Sequence, residues 1–348
     1  MIEIDGSFGE GGGQILRTSL TLSAVTGESI HIVNIRARRA KPGLRAQHVT
    51  AVRAAAAVCG ATVRGDEVGS RQLVFEPGEL AAGEYRFDIG TAGSTALVLQ
   101  TVFLPLALAG EPSRLTLIGG THNPMAPCFE YLQRCWMPML GPMGLGAELY
   151  LARPGFYPAG AGQMSALIEP APPREQWQPV RRQQRGRLLS LSGFSAVANL
   201  PRPIAERQRR QALRRLEVLG LSPRIELRSW QAASPGTVLF LHVQFAGGAA
   251  AFFALGARGK RAERVADEAA DALAAYWATE AAVDPHLADQ ILLPAALCPA
   301  ESRFTVSAVA EHLRTNAHVI GRVLGRAIHI DGDPGEPGAV LVPAAGSR

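Results

Sequence analysis

Three short segments carry residue types suited to chemistry on phosphates. The first is GEGGGQILR, from Gly9 to Arg17. A glycine run between strand-like MIEID and helix-like QILRTSLTLSAV lets backbone N–H groups close on an anion at a helix N-terminus. Glu10 sits inside that run. A carboxylate there makes sense where a divalent cation, Mg2+ or Mn2+, bridges it to phosphate oxygens, since magnesium takes one or two carboxylates plus phosphate. Read alone, the segment is equally a tight turn with an exposed glutamate. The second segment is IRARRAKPGLRAQH, which sets Arg36, Arg38, Arg39, Lys41 and Arg45 ahead of His48. Its Pro42-Gly43 pair signals a turn, and arginine forks on a loop suit bidentate phosphate contacts. The third is FTVSAVAEHLRTNAHVIGRVLG. Asn316 reads as the N-cap of a helix with Val319, Ile320, Val323 and Leu324 along one side, which leaves His312 in the preceding loop.

Familiar signatures are missing. GARGKRAE around Lys260 has the wrong glycine spacing for a phosphate loop, with Arg261 where Ser or Thr belongs. GEGGGQ does not space its glycines as a dinucleotide fingerprint. Neither H-E-x-x-H nor G-x-S-x-G occurs, so zinc-protease and serine-hydrolase chemistry have no support.

The elements that must position these segments repeat along the chain. LTLSAVTGESIHIV, LPLALAGEPSRLTLI and LPAALCPAESRFTVS each end an apolar helix, break at Gly, Pro, Glu or Ser, and enter a strand. A second helix follows each time, in HVTAVRAAAAVCG, FEYLQRCWMPMLG and NAHVIGRVLG, each closing on glycine. Strand-like RQLVFEPG, MSALIEP and GAVLVP come next. The pattern predicts an α+β protein in which a βαβαββ unit occurs three times. Roughly a hundred residues between the second and third units do not fit it. There EPAPPREQWQP and VRRQQRGR read as a linker and an exposed entry strand. Beyond them a strand, the basic helix PIAERQRRQALRRLEVLG, three strands and the long helix KRAERVADEAADALAAYWA compose a small α/β domain. The expected organisation is residues 1–183 for two units, 184–278 for the inserted domain and 279–348 for the third unit.

Composition agrees with a globular protein: of 348 residues, 47% are hydrophobic and 19% charged. The net charge of +5 permits an anionic partner without requiring one. All the cationic side chains but Lys41 and Lys260 are arginines, which favour bidentate phosphate contacts. Cys59, Cys128, Cys135 and Cys298 form no C-x-x-C pair, so a zinc site is not expected. The N-terminus lacks a signal-peptide pattern, and the longest apolar run, Ala96 to Ala109, is broken by Gln100 and Pro105. These features lead us to expect a cytoplasmic protein without a membrane segment.

Together GEGGGQILR, IRARRAKPGLRAQH, TAGSTALVLQT, GGTHNPMAP, GFYPAGAG, HLADQ and HLRTN resemble, in order and nearly end to end, the RNA 3′-terminal phosphate cyclase family. The resemblance implies a large domain of three units like the enolpyruvyl-transferase fold, with a small domain inserted before the third. It implies that ATP is the substrate of a histidine nucleophile, His312, and that AMP passes from it to an RNA 3′-phosphate end. The 2′-hydroxyl then closes a 2′,3′-cyclic phosphate. By position, Arg17, Arg36 and Arg39 would neutralise phosphoryl charge, and Glu10 would hold the metal. Gln100, Pro127 and His286, Leu287, Ala288, Asp289 and Gln290 would form the ATP pocket, with His48 nearer the phosphates. Three departures stand out: His286 where the family usually has tyrosine, His122 for aspartate, and Ala161 for glycine. A non-catalytic branch of the same family binds RNA in ribosome assembly but lacks the nucleophilic histidine. The joint presence of His312, Glu10 and Arg17 favours the catalytic branch. An enolpyruvyl transferase is suggested by fold analogy alone.

Overall fold

The N-terminal IEID alternates apolar and polar side chains and forms strand β1 (Ile2–Asp5) in the computed structural model, which describes residues 1–346. Helix α1 (Gly13–Thr26), strand β2 (Ile30–Val33), helix α2 (Ala46–Cys59) and strands β3 (Thr62–Arg64) and β4 (Leu73–Glu76) follow. They build a four-stranded sheet in the order β1-β2-β4-β3, in which only β1 and β2 run parallel. The next stretch gives β5 (Glu84–Asp88), α3 (Thr95–Ala107), β6 (Ser113–Gly119), the short α4 (Phe129–Tyr131) and α5 (Met137–Leu140), then β7 (Ala147–Arg153) and β8 (Gly162–Ile168). Their sheet runs β5-β6-β8-β7, again with one parallel pair, β5 and β6.

The short strand β9 (Arg181–Arg182) precedes a different arrangement. Strand β10 (Leu188–Ala198), helix α6 (Pro203–Glu217), strands β11 (Arg224–Trp230), β12 (Gly236–Phe245) and β13 (Gly248–Leu255), and helix α7 (Ala262–Trp277) make a separate sheet ordered β11-β10-β12-β13. Its own apolar cluster joins Leu239, Leu241 and Phe245 to Val265, Ala269 and Leu273 of α7. Finally come α8 (Pro285–Leu297), β14 (Ser302–Val306), α9 (Glu311–Leu324), β15 (His329–Asp331) and β16 (Gly338–Val342). The last sheet is ordered β15-β16-β14-β9, with β9 and β14 its parallel pair. It therefore takes its first strand from residues 181–182, which the sequence reading grouped with the first two units.

Helices α1, α3 and α8 are apolar around most of their circumference, as a helix surrounded by other elements requires. They lie centrally: α1 packs on α2, α3 and α9, and α8 packs on α9. Two expectations about helices are corrected. FEYLQRCWMPMLG is not one α-helix, because Leu132–Trp136 widens into a π turn in which Met137 N–H donates to the Leu132 carbonyl. Pro138 supplies no N–H to the carbonyl four residues back, which favours that widening. The last helix begins at Glu311 rather than after Asn316, with Ala310 at its N-cap. No helix among the described residues is long and apolar enough to cross a membrane.

Candidate active site

The glycine loop between β1 and α1 is shaped by the side chains it must accommodate. A Cβ on Gly12 would stand 2.3 Å from Glu10 Oε1 and 2.7 Å from Arg39 Nη2. One on Gly13 would stand 2.5 Å from His48 Nε2 and 2.9 Å from Arg17 Nη1. Glycine at both positions leaves room for a carboxylate, two guanidinium groups and an imidazole around the start of α1. That helix has Gly12 at its N-cap and no side-chain cap, so its first N–H groups stay available to an anion.

His312 reaches the same place from the opposite end of the chain. It is the second residue of α9, within its first turn, not in a loop. Its Nδ1 lies 3.0 Å from Glu10 Oε2, and Arg39 Nη2 lies 3.2 Å from that same oxygen. The Nδ1 contact is a charge pairing rather than an aligned hydrogen bond, since the buried Nδ1 has no well-directed partner. Contact with Glu10 nevertheless raises the imidazole pKa above its ordinary 6.5, overcoming burial and the nearby Arg17 charge. Burial pushes Glu10 upward, but His312, Arg39 and Arg17 outweigh it and hold the carboxyl below its usual range. With Nδ1 facing Glu10, Nε2 is the ring nitrogen left to meet a substrate.

Arg17 is half-buried, and desolvation brings it down to about 10 against the pull of Asp289 and Glu10; it still carries charge at neutral pH. Its Nη2 donates to Gln14 Oε1 at 2.7 Å. Asp289 is raised to about 6 by burial, with His312, His286 and Arg17 opposing. His48 accepts the Arg45 N–H on Nδ1 at 3.1 Å, which leaves Nε2 to carry the ring proton beside Gly13. Burial, then the charges of Arg17, Arg36 and Arg45, depress His48 to about 3, so it is a neutral donor.

Arg36 does not join this group. Its Nη1 donates to the Lys41 and Gly43 carbonyls, each at 2.8 Å, so its guanidinium braces the arginine-rich loop instead. The backbone at Arg36 is itself left-handed, with φ 54°, as a folded-back loop of this kind requires.

A cavity of about 440 Å³ opens beside His312. Gln14, Arg17 and Thr18 of α1, Gln100 of α3, the Pro124–Pro127 loop, and His286, Asp289 and Gln290 of α8 form its near walls. Gln100 Nε2 donates to Gln290 Oε1 at 2.7 Å, fixing both amides. Asp284 caps α8 by accepting from His286 and Leu287 N–H, and it also accepts from the Tyr131 hydroxyl. Leu287 and Ala288, expected in the pocket, are instead buried in the apolar core, because successive helix positions turn away from the cavity.

The far wall comes from strand β13 of the inserted sheet, the loop after it and α7, through Phe252 to Leu255, Lys260 and Glu268. Sequence reasoning missed these residues, having met Lys260 only as a failed phosphate loop. It also missed Asn316, which lines the cavity and is no N-cap. His122 is accounted for by local packing: its Nε2 lies 3.0 Å from Glu130 Oε2, both are buried, and its ring stacks on Phe156.

The family model described as RNA 3′-terminal phosphate cyclase matches residues 8–330. A relative named RNA 3′-terminal phosphate cyclase from Methylococcus capsulatus is 48% identical over 329 residues, covering 92% of this chain and 91% of its own. One of the same name from Archaeoglobus fulgidus is 42% identical over 333 residues, covering 96% and 98%. Among solved structures, the enolpyruvyl transferase NikO from Streptomyces tendae aligns with a TM-score of 0.26 at 14% identity, over 53% of this chain and 32% of that one, which is too slight to bear on the fold. With a match spanning the glycine loop, the arginine-rich loop and α9 alike, the chain belongs to the RNA 3′-terminal phosphate cyclase family.

Proposed function

We propose that the protein converts an RNA 3′-phosphate to a 2′,3′-cyclic phosphate, using ATP and a covalent adenylate on His312. The observation that carries the histidine step is the Glu10–His312–Arg39 cluster, whose His312 lines a cavity of nucleotide size. His312 Nε2, in its neutral form, attacks the α-phosphorus of ATP; the bond to the β-phosphate oxygen breaks and pyrophosphate leaves. An oxygen of the RNA 3′-phosphate then takes the AMP, freeing the imidazole. The adjacent 2′-hydroxyl attacks the activated 3′-phosphorus, AMP departs and the ring closes. Splitting a dehydration into displacements at activated phosphorus is the gain from covalent catalysis. Arg17 and Arg39 supply fixed positive charge where the phosphoryl oxygens gain negative charge, while neutral His48 and the open end of α1 add N–H donors.

Glu10 is one carboxylate, and no group of three His, Cys, Asp or Glu suited to a metal occurs among the described residues. That fits a divalent cation, Mg2+ or Mn2+, shared between Glu10 and the phosphates of ATP rather than one caged by protein. Such an ion would neutralise phosphate charge there. Gln100, Gln290, His286 and Pro127 are the candidates to hold the nucleoside, with Phe253 opposite. The three sheets that share one strand order support a large domain of three enolpyruvyl-transferase-like units carrying an inserted domain at 184–278. A soluble, cytoplasmic enzyme acting on RNA ends and ATP is the setting this chemistry suits.

Incubation with ATP labelled at the α-phosphate, with Mg2+ or Mn2+, should trap an acid-labile, base-stable protein–AMP adduct. A chain that binds ATP yet forms none would overturn the histidine mechanism. A 3′-phosphorylated oligoribonucleotide should become phosphatase-resistant, whereas a 3′-hydroxyl one should be unchanged at that end.

A further inference from the structure

The nucleophile, the cavity-lining arginine and the cavity-lining carboxylate sit on three helices far apart in sequence: His312 on α9, Arg17 on α1 and Asp289 on α8. One side chain touches all three helices. Asn316 is 2% exposed and lies one turn beyond His312 on α9. Its Oδ1 accepts from Thr18 Oγ1 of α1 at 2.5 Å, and its Nδ2 donates to the Asp289 carbonyl of α8 at 2.8 Å. Thr18 directly follows Arg17, and Asp289 directly precedes Gln290. Both ends of the amide are therefore spent on helices that carry site residues. Between His312 and Asn316, Thr315 closes on the glycine loop, for a Cβ on Gly9 would stand 2.3 Å from Thr315 Oγ1.

We propose that Asn316 is a positioning residue. It sets the register of the first turn of α9 against α1 and α8, and so holds His312 Nε2 in line with the α-phosphate of ATP in the cavity. This inference rests on the reading of His312 as the nucleophile. An amide suits the task because it donates at one end and accepts at the other, so each helix meets a complementary atom. In-line attack tolerates little displacement, and an error of about 1 Å in a reacting group can cost about 100-fold in rate.

The test is single-turnover adenylate formation from α-labelled ATP, with the unfolding midpoint measured alongside. Asn316→Ala should slow the step by about 30-fold or more while the ATP KM stays within about threefold, the pattern of lost alignment rather than lost binding. The isosteric Thr18→Val should slow it by about 10-fold, and Thr18→Ser, which keeps the hydroxyl, should restore the rate to within about threefold. The double variant Asn316→Ala/Thr18→Val should be no slower than Asn316→Ala, since both remove one link. Folded Asn316→Ala and Thr18→Val proteins that label at the wild-type rate, or whose change lies in KM alone, would overturn the assignment. A wild-type chain that forms no adduct would instead overturn the His312 reading, and this proposal with it.

Discussion

Two arginine-rich segments of this chain look alike in sequence and differ in use. The loop around Arg36–Arg45 and helix α6 each gather several arginines within a short span. On α6 two of the five arginines are answered by α7: Arg207 pairs with Glu263 at 2.8 Å and Arg215 with Asp267 and Asp271, while the neutral Gln211 also donates to Asp267. These contacts staple one helix to its neighbour on the inserted sheet. In the loop, Arg36 is spent on backbone carbonyls, Arg38 on the Gly9 carbonyl, and Arg39 on the one carboxylate that also faces His312. Basic density therefore does not locate the chemistry. The partners of each arginine set its use, and for Arg38, Arg39, Arg207 and Arg215 those partners come from other elements of the chain.

The contrast can be broken or sharpened experimentally. His312→Ala should abolish the protein–AMP adduct, a loss beyond about 10,000-fold in labelling rate, as removal of a covalent nucleophile does. Arg39→Ala should lower labelling by about 100-fold, because it removes preorganised charge near the phosphoryl group. Arg36→Ala should cost less than Arg39→Ala and should act through the loop's shape, visible as easier proteolysis between residues 36 and 45. An equal or greater cost would bring Arg36 back among the reacting groups.

Glu10→Gln sharpens the comparison through pH. The carboxylate raises the His312 pKa, and only the neutral ring attacks, so wild-type labelling should fall with acid from above pH 6.5. Removing the charge lowers the imidazole pKa and should move that limb to lower pH, even as the maximal rate drops. A limb that stays in place would show that Glu10 does not govern His312 ionisation. The smallest effect belongs to α6. Arg207→Ala or Arg215→Ala should leave labelling and RNA cyclisation within about twofold and lower the unfolding midpoint by about 2 °C or less, as expected for exposed ion pairs. An α6 variant that cost as much as Arg39→Ala would end the distinction between the two segments.

The parts of this molecule legible in sequence were those set by local physics. Glycine stops, apolar periodicity and strand alternation anticipated most of the helices and strands, including the two long helices of the inserted stretch. The need for glycine at positions 12 and 13 could be read from the run itself, because a backbone requirement is local. Asn316 was misread because an asparagine ahead of an apolar run satisfies the N-cap pattern, and nothing nearby reveals that its amide is claimed by Thr18 and Asp289. The same limit applies to Lys260 and Phe253, whose place on the cavity wall depends on how the inserted sheet docks. Leu287 and Ala288 came in with the motif that contains them, although helix geometry sends them into the core while Asp289 and Gln290 face the cavity.

The strand pair β9 and β14 carries a consequence for how the chain becomes active. Val180, at the start of that pairing, donates its N–H to Ser302 Oγ, 122 residues further on, and the excursion between them takes in the whole inserted sheet with α6 and α7, and then α8. During synthesis the glycine loop and the arginine-rich loop emerge early, whereas α9 emerges after that excursion. Closing so long a loop is entropically slow to begin, so contacts that span it form late. Glu10 and Arg39 must therefore wait, with only each other as partners, until nearly all the polypeptide has been made. The site is thus completed by a final docking event, and a nascent chain stalled within the inserted sheet would hold Glu10 and Arg39 without His312.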